Sequence, residues 1–114
     1  MRLSRRSILR AGSLAALGLL AGVAEGGEPV ALVVYDSRSW RSRAFARRFV
    51  GPRIDVARER GCRWAGLRRP APAGRIVGLT RWNDHVIARG YLEEQRKRLA
   101  TDRRQGDLFY WEMA

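Results

Sequence analysis

Apolar runs and their interruptions divide the chain into elements. Residues 11–24 (AGSLAALGLLAGVA) form a first stretch without a charge. Residues 30–35 (VALVVY) are apolar without alternation, the pattern of a strand buried on both faces of a parallel sheet. Ser37 and Ser39 precede a segment, 40–49, in which Ser42, Phe45 and Phe49 share one helical face. Gly51 and Pro52 stop it. Residues 53–56 suit a short strand and 57–60 a helical turn ended by Gly61. Two prolines and a glycine in 67–74 (LRRPAPAG) predict a loop.

The next strand is 75–80 (RIVGLT), with Thr80 placed to cap a long helix over 81–100. On that helix Ile87, Ala88, Tyr91, Leu92 and Leu99 form one stripe. Asp84 and Gln95 fall inside it, His85 lies at its edge and Trp82 outside. The chain closes on an alternating strand, 108–113, with Phe109, Trp111 and Met113 on one face and Leu108, Tyr110 and Glu112 on the other. Strands alternating with helices predict an α/β fold, a small sandwich with a mainly parallel sheet of about three to four strands and two main helices. Most of the large apolar area comes from four Trp and three Phe, so the aromatic last strand is expected in the core.

The uncharged stretch at 11–24 follows a basic start: residues 1–10 hold four arginines and no acid. It ends on small residues, Gly22-Val23-Ala24, before a turn-forming linker at 25–29. A basic region, a short apolar region and a small-residue end have the shape of an export signal at 1–24, ahead of a single domain at 30–114. Ser4, Arg5, Arg6, Ile8 and Leu9 sharpen this reading. The run Ser4-Arg5-Arg6-Ser7-Ile8-Leu9-Arg10 resembles the twin-arginine translocation signal Ser-Arg-Arg-x-Phe-Leu-Lys, with Ile8 and Arg10 in place of Phe and Lys. The resemblance implies a bacterial protein exported in folded form to the periplasm, with the twin-arginine translocase as a partner. The signal is either cleaved after Ala24 or kept as a tether to the inner membrane.

Export changes the meaning of the charge. The whole chain carries +12, but residues 1–24 supply four of the 23 basic side chains and none of the 11 acids, leaving +8. Outside the cytoplasm that surplus points to an acidic periplasmic protein or an anionic membrane surface, and not to nucleic acid. One Cys and one His rule out a zinc finger or a Cys-ligated cluster from this chain, and neither a metal site nor a cofactor is predicted.

Candidate chemistry gathers where parallel strands end and helices begin. Asp36, Asp84 and His85 are the candidates for catalysis, with Arg38 as the partner expected to bring Asp36 and Asp84 together. Arg38, Gly78, Thr80 and Arg81 are the candidates for holding an anion. Helix capping and structural pairing are the competing roles for Asp36 and Asp84, and a surface or capping position for His85. Asp36 at a strand end resembles the nucleophile of haloacid-dehalogenase-type phosphatases, but their Asp-x-Asp reads Asp36-Ser37-Arg38 here, so the second acid is missing. Cys62 is expected as a buried, inert thiol. The reading with the fewest demands is an exported binding or accessory protein without a catalytic centre. The alternatives are a minimal hydrolase or anion-binding enzyme using Asp36, Arg38 and Asp84, and a basic protein on the membrane surface.

Overall fold

The apolar runs at 30–35 and 75–80 become neighbouring parallel strands, and the rest of the sheet grows outward from them. The structure, a computed structural model, describes residues 27–114. Ser4, Arg5, Arg6, Ile8 and Leu9 lie outside the described residues, as does the whole of 1–24. In chain order the elements are β1 (Glu28–Pro29), β2 (Leu32–Tyr35), α1 (Trp40–Ala46), β3 (Phe49–Val50), β4 (Arg53–Asp55), α2 (Val56–Gly61), α3 (Ala65–Arg68), β5 (Ile76–Thr80), α4 (Trp82–Glu94), β6 (Leu99–Gln105) and β7 (Leu108–Met113). No helix among the described residues is long and apolar enough to cross a membrane.

Two compact units are present. The described part of the smaller one is a short parallel pairing of β1 with β3, in which Glu28 lies opposite Phe49 and Pro29 opposite Val50. The larger, Val30–Arg47 with Gly51–Ala114, holds a five-stranded sheet in the order β4-β2-β5-β7-β6. In it β2 pairs in parallel with β4 and with β5. The pairings β5–β7 and β6–β7 are antiparallel and have the longer registers.

This corrects the expected mainly parallel sheet of three to four strands with two main helices. The sheet is mixed, has five strands, and belongs to an α+β domain with four helices. The cause lies after α4, which ends at Glu94 and not at Ala100. A parallel strand needs a long crossover, whereas an antiparallel pair needs only a tight turn. Gly106 supplies that turn at φ 66°, beside Asp107, and folds β6 back onto β7.

Two smaller corrections have similar local causes. Helix α1 stops at Ala46, because Arg47 already closes it by donating its N–H to Arg43, and Phe49 is a strand residue. The predicted loop begins only at Arg69, since Ala65–Arg68 makes one helical turn whose Leu67 N–H is taken by the Glu59 carboxylate.

The main core lies on one face of the larger unit's sheet, where Leu32, Val34, Ile76, Trp111 and Met113 meet Val56, Leu67, Ala88 and Leu92 from the helices. On the opposite face Phe45 of α1 meets Tyr110 edge-on at 5.9 Å. Trp111 is the largest fully buried side chain, and a glycine makes room for it. A Cβ on Gly78, its partner across the β5–β7 register, would sit 2.2 Å from the indole Cε2. The indole N–H donates to the Thr80 hydroxyl at 3.1 Å, so its one polar group is satisfied. Gly78→Ala is expected to cost about 1–3 kcal/mol through overpacking, read as a lower denaturation midpoint with an unchanged slope.

Candidate functional site

Strands β2 and β5 run side by side and in parallel, so their carboxyl ends open at the same edge of the sheet. That edge is the switch point at which open α/β sheets commonly take ligands. Here an ion cluster fills it. Asp36 follows β2 and is fully buried. Its Oδ1 accepts the backbone N–H of Arg38 at 2.9 Å and the side-chain Nε at 2.8 Å, while Oδ2 accepts Nη2 at 2.8 Å. The same Nη2 reaches Asp84 Oδ2 at 3.0 Å. Arg60, from α2, donates to Asp84 Oδ1 at 2.7 Å.

Asp84 is also fully buried and stands in the first turn of α4, where the helix dipole favours a negative charge. The loop after β2 is tied down on every side. Ser42 accepts the Asp36 N–H and donates to the Leu79 carbonyl, Asp55 accepts the Ser37 N–H, and Ser39 caps α1.

The sequence thus placed Asp36, Arg38 and Asp84 together, as the structure does, but missed Arg60 and Ser42. A solvated arginine one residue before a predicted helix stop carries no signal of a partner 24 positions away. Burial alone would raise the Asp36 pKa. The hydrogen bonds and charge of Arg38, with a smaller contribution from Arg81, outweigh it and hold the carboxyl below its ordinary 3.8. Every oxygen of both carboxylates has an arginine donor, so the cluster is closed as a set of ion pairs.

The other predicted residues lie elsewhere. Gly78 is in mid-strand between Val34 and Trp111, where its N–H belongs to the sheet and not to an anion. Thr80 is the last residue of β5; its hydroxyl receives Trp111 Nε1 and caps nothing. Arg81 stands at the N-cap of α4 without a side-chain cap bond, exposed. His85 is not on the surface. It is fully buried between Trp82 and Trp111, with centroids 5.3 and 5.1 Å away. Neither of its ring nitrogens has a hydrogen-bond partner, and Nε2 lies 3.9 Å from Asp102 Oδ2. Burial lowers its pKa below 6.5 more than Asp102 raises it. Cys62, expected buried, is exposed. No group of three or more His, Cys, Asp and Glu able to hold a metal occurs among the described residues.

A second concavity, which the sequence did not reveal, opens beside edge strand β4. It encloses about 400 Å³. Leu32, Ile54 and Leu67 form its apolar floor, and Pro70, Ala71 and Pro72 one wall. Gln95, the polar residue inside the helical stripe, shapes that wall. Its Oε1 accepts the Ala71 N–H at 2.6 Å, and its Nε2 donates to the carbonyls of Leu67 and Arg69. Lys97 Nζ adds a bond to the Pro72 carbonyl at 2.9 Å. The loop is therefore fixed before any ligand arrives.

Removing one side of the ion cluster should cost more than removing the other. Arg38→Met strands the buried Asp36 carboxylate and leaves Asp84 with Arg60 alone, and should destabilise by about 3 kcal/mol. Asp84→Asn leaves two half-exposed guanidinium groups that water can solvate, and should cost about 1 kcal/mol. Urea titration of both variants checks the order. Because the Asp36 pKa is lower folded than unfolded, its contribution is complete above about pH 3.8. It is lost as the pH falls through the folded value, and Arg38→Met should flatten that acid limb.

The His85 ring is held neutral, so its contribution is present above pH 6.5 and is lost as the pH falls through its lowered folded value. His85→Leu removes two unsatisfied nitrogens at similar volume. It should leave stability equal or higher at pH 7 and abolish the decline that sets in as the pH falls below 6.5, as melting temperatures measured on both sides of that pH would show.

Compared with protein-family models, with curated proteins and with solved structures, the chain finds no match in any of the three.

Proposed function

We propose that the chain is a small exported binding or accessory protein, carried to the periplasm by the twin-arginine pathway, whose folded domain holds a small ligand without transforming it. The observation that carries this reading is the preformed cavity beside β4, whose proline-rich wall is fastened by Gln95 and Lys97. A pocket that needs no ordering on binding keeps more of its contact energy as affinity. The export half of the proposal rests on Ser4, Arg5, Arg6, Ile8 and Leu9.

The hydrolase alternative draws on the meeting of Asp36, Arg38 and Asp84. Its difficulty is electrostatic. A nucleophile or general base needs a basic oxygen open to the substrate, whereas both carboxylates are fully buried and every one of their oxygens is held by an arginine donor. The membrane-surface alternative has the charge surplus alone to support it.

Cell fractionation tests the export half. Replacing Arg5 and Arg6 together by lysine should strand the protein in the cytoplasm, and undiminished periplasmic delivery would overturn the route. The binding half is tested on purified protein. Phosphatase or esterase turnover that vanishes in Asp36→Asn while the melting temperature holds would replace the binding reading with the hydrolase one.

A further inference from the structure

We infer that the cavity beside β4 takes a small free monoanion with an apolar body, a medium-chain or aryl carboxylate. The inference rests on the binding reading above and names its ligand class. Size comes first: about 400 Å³ lies within the range of roughly 300–1,000 Å³ usual for small-molecule sites. The floor of Leu32, Ile54 and Leu67 gives a hydrocarbon or ring apolar side chains to lie against, Ile54 being the most accessible of the three.

Charge decides the head group. Two acids line the cavity, and both are engaged. Asp55 Oδ1 accepts the N–H groups of Ser37 and Ala57, and Glu59 Oε1 accepts that of Leu67. Glu59 is also pressed against Gly66, where a Cβ would lie 2.8 Å from its carboxylate. Two of the arginines lining the same cavity, Arg58 and Arg69, are exposed and have no carboxylate partner among the described residues. A guanidinium is a planar fork of donors that fits a carboxylate in bidentate fashion, whereas a neutral or cationic head forfeits that pairing. The apolar floor and the arginines thus sort ligands by two properties at once. Cys62, exposed and lining the cavity, gives the site a built-in reporter.

The test uses the full-length protein with octanoate, octylammonium and octanol, which share a tail and differ in the head. Calorimetry should show octanoate binding at least about tenfold more tightly than the other two. Octanoate should also slow alkylation of Cys62 by N-ethylmaleimide several-fold, and octylammonium should not. Replacing Arg58 and Arg69 together by Gln should weaken octanoate by about tenfold with the melting temperature unchanged, since both side chains are exposed.

Equal or tighter binding of octylammonium or octanol would overturn the anionic class while leaving the binding reading in place. Octanoate binding that leaves Cys62 unprotected would overturn the cavity as the site. Phosphatidylglycerol vesicles that protect Cys62 as well as octanoate does would overturn a free ligand in favour of a lipid surface. If none of the three compounds binds, the inference and the binding reading both fall.

Discussion

Two negative charges are buried side by side where β2 and β5 end, and the Arg38 guanidinium between them lets that happen. An unpaired carboxylate removed from water is costly enough that it would take up a proton or unfold its surroundings. Arg38 bridges Asp36 and Asp84 and thereby joins the end of one strand to the first turn of a helix 46 positions away. Arg60 brings α2 to the same point. With Ser42 tying Asp36 to the Leu79 carbonyl, the starts of α1 and α4 and the end of α2 are set by one electrostatic knot. A ligand crevice becomes a fastening.

The parts of this arrangement that could be read from the sequence are those governed by short-range pattern. Apolar runs marked β2 and β5, Ser37 or Ser39 marked the start of α1, with Ser39 the cap in the structure, and the stripe on α4 pointed Asp84 inward. From these the meeting of Asp36, Arg38 and Asp84 followed. The illegible parts depend on tertiary context. Strand β6 (LATDRRQ) is polar and mostly exposed, so neither alternation nor β-branched content distinguishes it from a continuing helix. Its turn residue Gly106 was the available signal. His85 was misplaced for a related reason: the edge of a helical stripe becomes interior once a two-stranded ribbon packs there, and Trp82 and Trp111 then close over the ring.

The hairpin also resolves a problem that a parallel reading would have left open. The sheet must end somewhere, and a long apolar edge invites pairing with another chain. Here the last strand is β6, and it carries Asp102, Arg103 and Arg104. Arg103 stacks over Tyr110 at 4.8 Å and Arg104 lies 6.0 Å from the Phe109 ring centre. Their stems cover aromatic surface on β7 while their charges discourage edge-to-edge association. Some of the basic surplus therefore serves the sheet itself.

This bears on what the remaining charge can mean. Most acids in the larger unit are already committed: Asp36 and Asp84 in the knot, Asp107 to Arg41, Glu93 to Arg89, Glu112 to Arg75, and Asp55 and Glu59 to backbone N–H groups. With the acids so occupied, unpaired arginines are spread over the surface, and positive charge by itself singles out no face. What separates Arg58 and Arg69 from the others is the company they keep. They line one cavity with an apolar floor and a fixed wall, so a ligand seated there meets a guanidinium and hydrocarbon at once. An arginine elsewhere on the surface sees mostly water and salt, and its attraction for an anion fades within a Debye length. Recognition by this chain is therefore expected where charge and apolar surface coincide, and net charge alone does not locate that place.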